Sequence, residues 1–169
     1  MLFPFEDHNF SAFHALSPQD ETALLSRARL LQAASLRGAP SLQLKGKKLG
    51  ILCDEGSDRS ESRPLFQRAA EELGAHVAII RPALSNLGSP GEVEHTARIL
   101  GRFYDALECQ GMAPGLVRQI GRHAGIPVYD GLACASHSTA RLAALLDEQT
   151  SPADNRRFVL QALLLGSIA

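Results

Sequence analysis

Two kinds of apolar pattern alternate along the chain. Leu24, Leu25, Ala28 and Leu31 repeat at helical spacing, which predicts one buried helical face. Ser17-Pro18-Gln19-Asp20 supplies the start of that helix: a serine N-cap, proline at the first position and an acid in the first turn. The helix is expected to run to about Ser35, where Arg37-Gly38-Ala39-Pro40 stops it. Leu49–Cys53 is a short unbroken apolar run, the mark of a buried strand. A polar loop, Asp54–Arg63, follows, and Pro64 is expected to open a helix that reaches Leu73 and is closed by Gly74.

The same alternation then repeats. His76–Ile80 reads as a second strand. Ser89-Pro90-Gly91-Glu92 is a capping box, and its helix should bury Val93, Ala97, Leu100 and Phe103. Tyr104–Cys109 reads as the third strand, Pro114–Ala124 as a helix and Pro127–Tyr129 as a short fourth strand. A helix over Ser138–Glu148 should bury Leu142, Leu145 and Leu146. Thr150–Asp154 is a linker, and Asn155–Ile168 a final amphipathic helix with Phe158, Leu160, Ala162, Leu163 and Leu164 inward. Residues 1–14 show no period but carry Phe3, Phe5, Phe10 and Phe13, an arm expected to pack on something, a neighbouring chain included.

Strand followed by helix, four times over with short connections, predicts an α/β fold of three layers: a parallel sheet of about four strands with helices on both faces. Ligands of such sheets bind at the carboxyl ends of the strands, so loops 54–63, 81–92, 109–114 and 130–138 are the places to look.

Composition narrows the class without naming an activity. The 169 residues fit one domain with a core of its own. Lysine and arginine number 17 against 18 acids, so the basic excess of a duplex-binding protein is missing and no nucleic-acid partner is expected. The longest apolar stretch, Phe158–Ala169, is interrupted by Gln161 and too short to span a bilayer, and MLFPFEDHNF does not read as a secretory signal. Three cysteines argue against a disulfide framework and for a reducing cytoplasm. Cys53, Cys109 and Cys134 each fall at or just beyond a strand's end, near His137; three thiols and an imidazole could hold zinc, but no CxxC pair is present and a buried cysteine is commonly a small hydrophobe.

Several segments resemble the carbamoyl-phosphate-binding half of the aspartate/ornithine carbamoyltransferase family, the ornithine branch in particular. Leu44-Lys45-Gly46-Lys47, the strand at 49–53, a Ser/Arg loop, then Phe66, Ala69-Ala70 and Leu73-Gly74-Ala75 are similar to the family's first βα unit. The run from His95 through Thr96-Ala97-Arg98 to Tyr104-Asp105 resembles a DTARVLGRMYD-like segment, and Ile126-Pro127-Val128-Tyr129-Asp130-Gly131-Leu132 a VPVxNGL strand. His137 stands where the family's HPxQ motif begins. The match covers roughly residues 15–149. Asp154-Asn155-Arg156-Arg157 resembles the ENR-type start of the family's closing helix, which there returns from a second, amino-acid-binding domain. Here it follows the first domain directly. The resemblance therefore implies a domain over 1–150, a linker and returning helix over 151–169, and no acceptor-binding domain between them.

The resemblance also assigns roles. The phosphate clamp corresponds to Ser57-Asp58-Arg59-Ser60-Glu61-Ser62-Arg63, in which Ser57, Arg59, Ser62 and Arg63 keep donors at a helix start while Asp58 and Glu61 oppose a dianion. Pro64 should keep Arg63 out of the helical region, so that the helix starts late. Gln110 stands where the family has an arginine that stabilises the carbonyl oxygen, a kind of donor whose loss typically costs about 10² to 10³ in rate. His137 remains as a ligand and candidate catalytic group, but Ser138 and Ala140 replace the proline and glutamine that follow it. Asn86 belongs to a loop that, in the family, reaches a neighbouring subunit's site within a trimer. No cofactor and no metal is implied.

These substitutions predict a shortened, catalytically impaired carbamoyltransferase-like protein that binds phosphate or carbamoyl phosphate. Two other readings stay open: a structural or regulatory subunit, as a homotrimer or with a full-length relative, and a transferase completed by a separate chain.

Overall fold

The structure is a computed structural model that describes residues 9–10, 16–53, 61–81 and 88–168. In chain order the elements are β1 (Asn9–Phe10), α1 (Pro18–Leu36), β2 (Lys48–Cys53), α2 (Ser62–Glu72), β3 (His76–Ile80), α3 (Pro90–Phe103), β4 (Ala106–Gln110), α4 (Pro114–Ala124), β5 (Val128–Asp130), a 3-10 helix (Ser138–Leu145) and α5 (Pro152–Ile168). The strands form one parallel sheet in the order β1-β5-β4-β2-β3. Four of them are those expected. The fifth, the two-residue β1, lies in the Phe-rich arm and pairs with β5 of its own chain; the rest of the arm lies outside the described residues.

Side-chain alternation along the strands sorts the core into two layers. Leu49, Ile51, Cys53, Ala106 and Tyr129 pack with α1, α2, α5 and the 3-10 helix, whereas Leu52, Leu107, Cys109 and Val128 pack with α3 and α4. Helices therefore cover both faces. Two glycines permit the close approaches this needs. A Cβ on Gly101 of α3 would collide with the Ala124 carbonyl of α4, and Gly74, at φ +91°, turns the chain against the backbone of Lys45.

Local chemistry accounts for most boundaries. Ser17 accepts a hydrogen bond from the Asp20 N–H at 3.1 Å and Ser89 one from the Glu92 N–H at 3.3 Å, as expected of N-caps. Several expectations need correction. Arg63 is helical despite preceding proline: α2 begins at Ser62, and Pro64 falls in the first turn, where a missing N–H leaves no helical bond unmade. The third strand starts at Ala106 rather than Tyr104. The segment 138–145 is a 3-10 helix, with Thr139, Leu142, Ala143 and Leu146 inward and Leu145 off that stripe, 55% exposed. Phe103 lies off the Val93–Ala97 face of α3 and is 67% exposed.

The largest departure is α5. It is not amphipathic: every residue from Asn155 to Leu165 is buried. A helix apolar nearly all round belongs inside a protein, and this one packs against α1, α2 and the 3-10 helix. Its few polar residues are paired across elements. Arg157 bridges Glu72 of α2 at 2.6 Å and Asp154 at 2.8 Å, and Gln161 donates to the Ala69 carbonyl and to Glu72. The short link from the 3-10 helix to α5 is latched at its base. Asn155 Nδ2 donates to the Asp147 carbonyl at 2.5 Å, while Gln32 Nε2 reaches the Asp147 carboxylate and the Thr150 hydroxyl from α1.

Candidate functional site

The chain leaves β2 to form β3 on one side and later returns to lay β4 on the other. The carboxyl ends of β2 and β4, where Cys53 pairs with Gln110, thus flank the point at which strand order reverses, where open α/β sheets bind their ligands. Around this point gather the start of α2, the Gly131–His137 loop after β5 and the first turn of α5.

Glu108 organises the loop. It lies in the middle of a fully buried strand, and its carboxylate accepts the N–H groups of Leu132 at 2.9 Å and Ala133 at 3.2 Å. Burial pushes its pKa up to about 8; those two N–H groups oppose the rise, and Asp130 adds to it. From the other side Arg156, also buried, donates from Nη2 to the carbonyls of Leu132 at 2.5 Å and Cys134 at 3.3 Å, and from Nη1 to the Thr139 hydroxyl at 3.3 Å. One acid takes the loop's donors and one base takes its acceptors.

His137 caps the 3-10 helix. Its Nδ1 accepts the Thr139 N–H at 3.2 Å and lies 2.9 Å from the Thr139 hydroxyl. An Nδ1 that accepts from the backbone puts the ring proton on Nε2. Burial first, and the Arg156 charge second, push the His137 pKa down to about 4, so the ring is neutral near pH 7. Its Nε2 is buried and makes no hydrogen bond.

Gln110 is 2% exposed and shares a face of β4 with Glu108. Its amide lies close enough to favour the ionised form of Glu108, yet neither Oε1 nor Nε2 attains hydrogen-bonding geometry with any partner. Since buried polar groups are almost always paired, Gln110 in β4 and His137 ahead of the 3-10 helix are exceptions, as are Asn155 Oδ1 and Arg157 Nε; Gln110 adjoins Glu108, and Arg156 acts on both Glu108 and His137.

Ser62, the first residue of α2, is buried and hydrogen-bonds the Cys134 thiol; Arg63 follows it, half-buried. The N-cap position, Glu61, makes no side-chain cap bond. A cleft of about 790 Å³ opens beside Ser62, Cys134, Ala140, Asn155 and Arg156. Ser57, Arg59 and Asn86 lie outside the described residues. Cys53 and Cys109 point to opposite faces of the sheet, so the three thiols cannot share a metal with His137. Among the described residues no three His, Cys, Asp or Glu side chains are grouped to hold an ion. Two residues of this site, Glu108 and the loop-binding Arg156, carry a weight that sequence reasoning did not give them. A carboxylate inside an otherwise apolar strand was the available signal for the first; Arg156 stood out only as part of a motif.

The decisive comparison is with protein families: residues 8–150 match the model described as aspartate/ornithine carbamoyltransferase, carbamoyl-P binding domain. The chain belongs to the aspartate/ornithine carbamoyltransferase family. Among solved structures, it is similar to an ornithine carbamoyltransferase from Pyrococcus furiosus (26% identity, 76% of this chain and 40% of that one, TM-score 0.63). It is also similar to one from Gloeobacter violaceus (29% identity, 78% and 40%, TM-score 0.56). An aspartate transcarbamoylase from Trypanosoma cruzi, solved in complex with phosphate, shares the fold at 23% identity over 86% of this chain and 44% of that one, TM-score 0.67. This carbamoyltransferase-family chain thus spans well under half the length of these structures. Among its described residues no helix is long and apolar enough to cross a membrane.

Proposed function

We propose that this carbamoyltransferase-family domain binds phosphate or carbamoyl phosphate at the carboxyl ends of β2 and β4 and does not by itself transfer the carbamoyl group. The observation that carries this reading is a pair of buried side chains with polar atoms left unbonded, Gln110 at the strand-order reversal and His137, through Nε2, in the loop after β5. The start of α2, with Ser62 and Arg63 and no side-chain cap, adds N–H groups suited to an anion; Ser57, Arg59 and Asn86 belong to the same proposal through the family motifs.

Transfer needs donors on the developing oxyanion and an amine held at reacting distance. Gln110 supplies no positive charge where the family motif has an arginine, Ala140 supplies no amide, and within these 169 residues the link from the 3-10 helix to α5 contains no amino-acid-binding domain. Titration calorimetry with phosphate and with carbamoyl phosphate tests the reading, with saturable heat expected for at least one. No heat from either overturns the binding claim, and measurable carbamoylation of ornithine by the chain alone overturns the claim of inactivity.

A structural or regulatory subunit is the second reading. It is favoured by apolar residues exposed at the β3 edge of the sheet and on α3: Ile79 (44%) on one face, and Ile99 (40%) and Phe103 (67%) on the helix that covers the other. Light scattering, alone and with a full-length relative, tests it; a strict monomer in both experiments removes it.

A further inference from the structure

The cleft of about 790 Å³ beside the start of α2 is lined by neither Gln110 nor His137. Its walls are aliphatic, from Leu65 of α2, Ala133 after β5, Ala140 and Ala143 of the 3-10 helix and Pro152 of α5. Its free polar groups are acceptors. Carboxylates reach it from two separate places in the chain, Glu61 ahead of α2 and Asp147 with Glu148 after the 3-10 helix. Among the described residues none of the three makes an ion pair. Asp147 accepts only from the neutral groups of Gln32, Gln149 and Thr150, and so keeps its charge. Asn155, 2% exposed, lines the same cleft; its Nδ2 is spent on the Asp147 and Thr150 carbonyls, and its Oδ1 is a buried acceptor with no partner. The one cation of the lining, Arg156, directs its donors to Leu132, Cys134 and Thr139.

Three carboxylates, one engaged guanidinium and an acceptor in want of an N–H suit a cation on an alkyl stem, which lays its methylenes on apolar surface and keeps its charge at the polar rim. Acids at two separate places call for more than one such cation, and a cleft of this size holds more than one side chain. A polypeptide with two basic residues supplies both at once. We propose that this cleft docks a basic segment of a partner protein, one Lys or Arg side chain donating to Asn155 Oδ1 beside Asp147 and Glu148 and a second pairing with Glu61. Charge matching of this kind steers the encounter and weakens with salt. The inference needs neither the anion site at the strand ends nor the β3 edge, and goes beyond both readings above.

The full chain is titrated by calorimetry with acetyl-Lys-Leu-Lys-amide, with its uncharged counterpart acetyl-norleucyl-Leu-norleucine-amide, with n-butylamine and with inorganic phosphate. The lysine peptide is expected to bind roughly tenfold more tightly than the norleucine peptide or n-butylamine at low salt. Cys134 gives a second readout, since it is half-buried in the cleft while Cys53 and Cys109 are buried: the bound lysine peptide should slow its alkylation by iodoacetamide severalfold. The double substitution Glu61→Gln with Glu148→Gln, at two exposed positions, should remove the preference for the lysine peptide with the melting temperature unchanged. Equal affinity for the norleucine peptide, equal affinity for n-butylamine, an unprotected Cys134 or unchanged binding in the double variant each overturn the proposal. So does an assembly of this chain that the double variant dissolves, which assigns the cleft to a second copy. Phosphate heat without peptide heat overturns the docking site and leaves the strand-end proposal standing, and peptide heat without phosphate heat does the reverse.

Discussion

Glu108 and His137 show how single residues make this site sensitive to pH, and in opposite senses. The Glu108 pKa stands at about 8, above its ordinary value. The folded protein therefore holds that proton where the unfolded chain has lost it, and the associated stability, full at acid pH, falls as pH rises through about 8. The His137 pKa stands at about 4, below its ordinary value. The folded state resists protonation there, so stability is lost as pH falls from the ordinary histidine range through about 4. Denaturant titrations of Glu108→Gln against the parent should show the variant gaining relative stability between pH 5 and pH 9, on the order of a few kcal/mol for a fully buried carboxyl. A difference that does not change with pH defeats this account. Thr139→Val keeps the backbone N–H that caps the 3-10 helix on His137 Nδ1 but removes the hydroxyl that accepts from Arg156 Nη1, so it should cost roughly 1 kcal/mol in thermal or chemical unfolding. At this scale the sequence was partly legible. Gln110 and His137 could be picked out as positions; that both would be buried without partners depends on the surrounding atoms, which no local pattern encodes.

Among the elements, α5 departs furthest from what its sequence suggests. Phe158, Leu160, Leu163 and Leu164 read as one face of an amphipathic helix, but α1, α2 and the 3-10 helix enclose it so that Asn155, Arg156, Arg157 and Gln161 are buried as well. Polar and charged residues normally signal solvent, and the signal misled because each of these finds a partner on another element or in a connecting segment. Leu163, fully buried, tests the weight of this packing: Leu163→Ala should cost roughly 2–5 kcal/mol in chemical denaturation, and a cost under about 1 kcal/mol would show that the helix is peripheral to the core. By contrast α1 and α3 were legible to within a residue or two, because serine caps and first-turn prolines are local devices that act before any tertiary contact. The 3-10 helix was legible in place and not in type, since its hydrophobic spacing also suits an α-helix.

On the scale of the whole molecule, the sheet is guarded unevenly. β2 and β4 are buried at its centre, whereas β3 forms one edge and exposes Ala78 on the sheet face that α3 covers, where Ile99 and Phe103 of that helix are exposed, and Ile79 on the opposite face. Apolar edges of this kind invite pairing with another chain. If the subunit reading holds, the double substitution Ile79→Lys with Phe103→Glu should shift the mass seen by light scattering to that of a monomer with little change in melting temperature; an unchanged assembly places the interface elsewhere. The three-layer architecture was readable from the alternation of apolar runs and helical stripes, because connection length and period constrain a parallel sheet strongly. The pairing of Asn9–Phe10 with β5 was not, since two residues carry no period.

The latch between the 3-10 helix and α5 has a consequence for the modularity of the fold. Asn155 clasps the backbone at Asp147, Gln32 holds Asp147 and Thr150 from α1, and Gln149 and Thr150 bond back to the Asp147 carboxylate, so this short crossing is tied down along its length. Glu148, which takes no part in these bonds, is consequently the place for a splice in the covalent sense: a folded unit inserted there would hang between Asp147 on one side and Thr150 and Asn155 on the other. Because closure costs rise only slowly with the length of what is inserted, an insertion at this crossing is expected to leave the melting temperature close to the parent's.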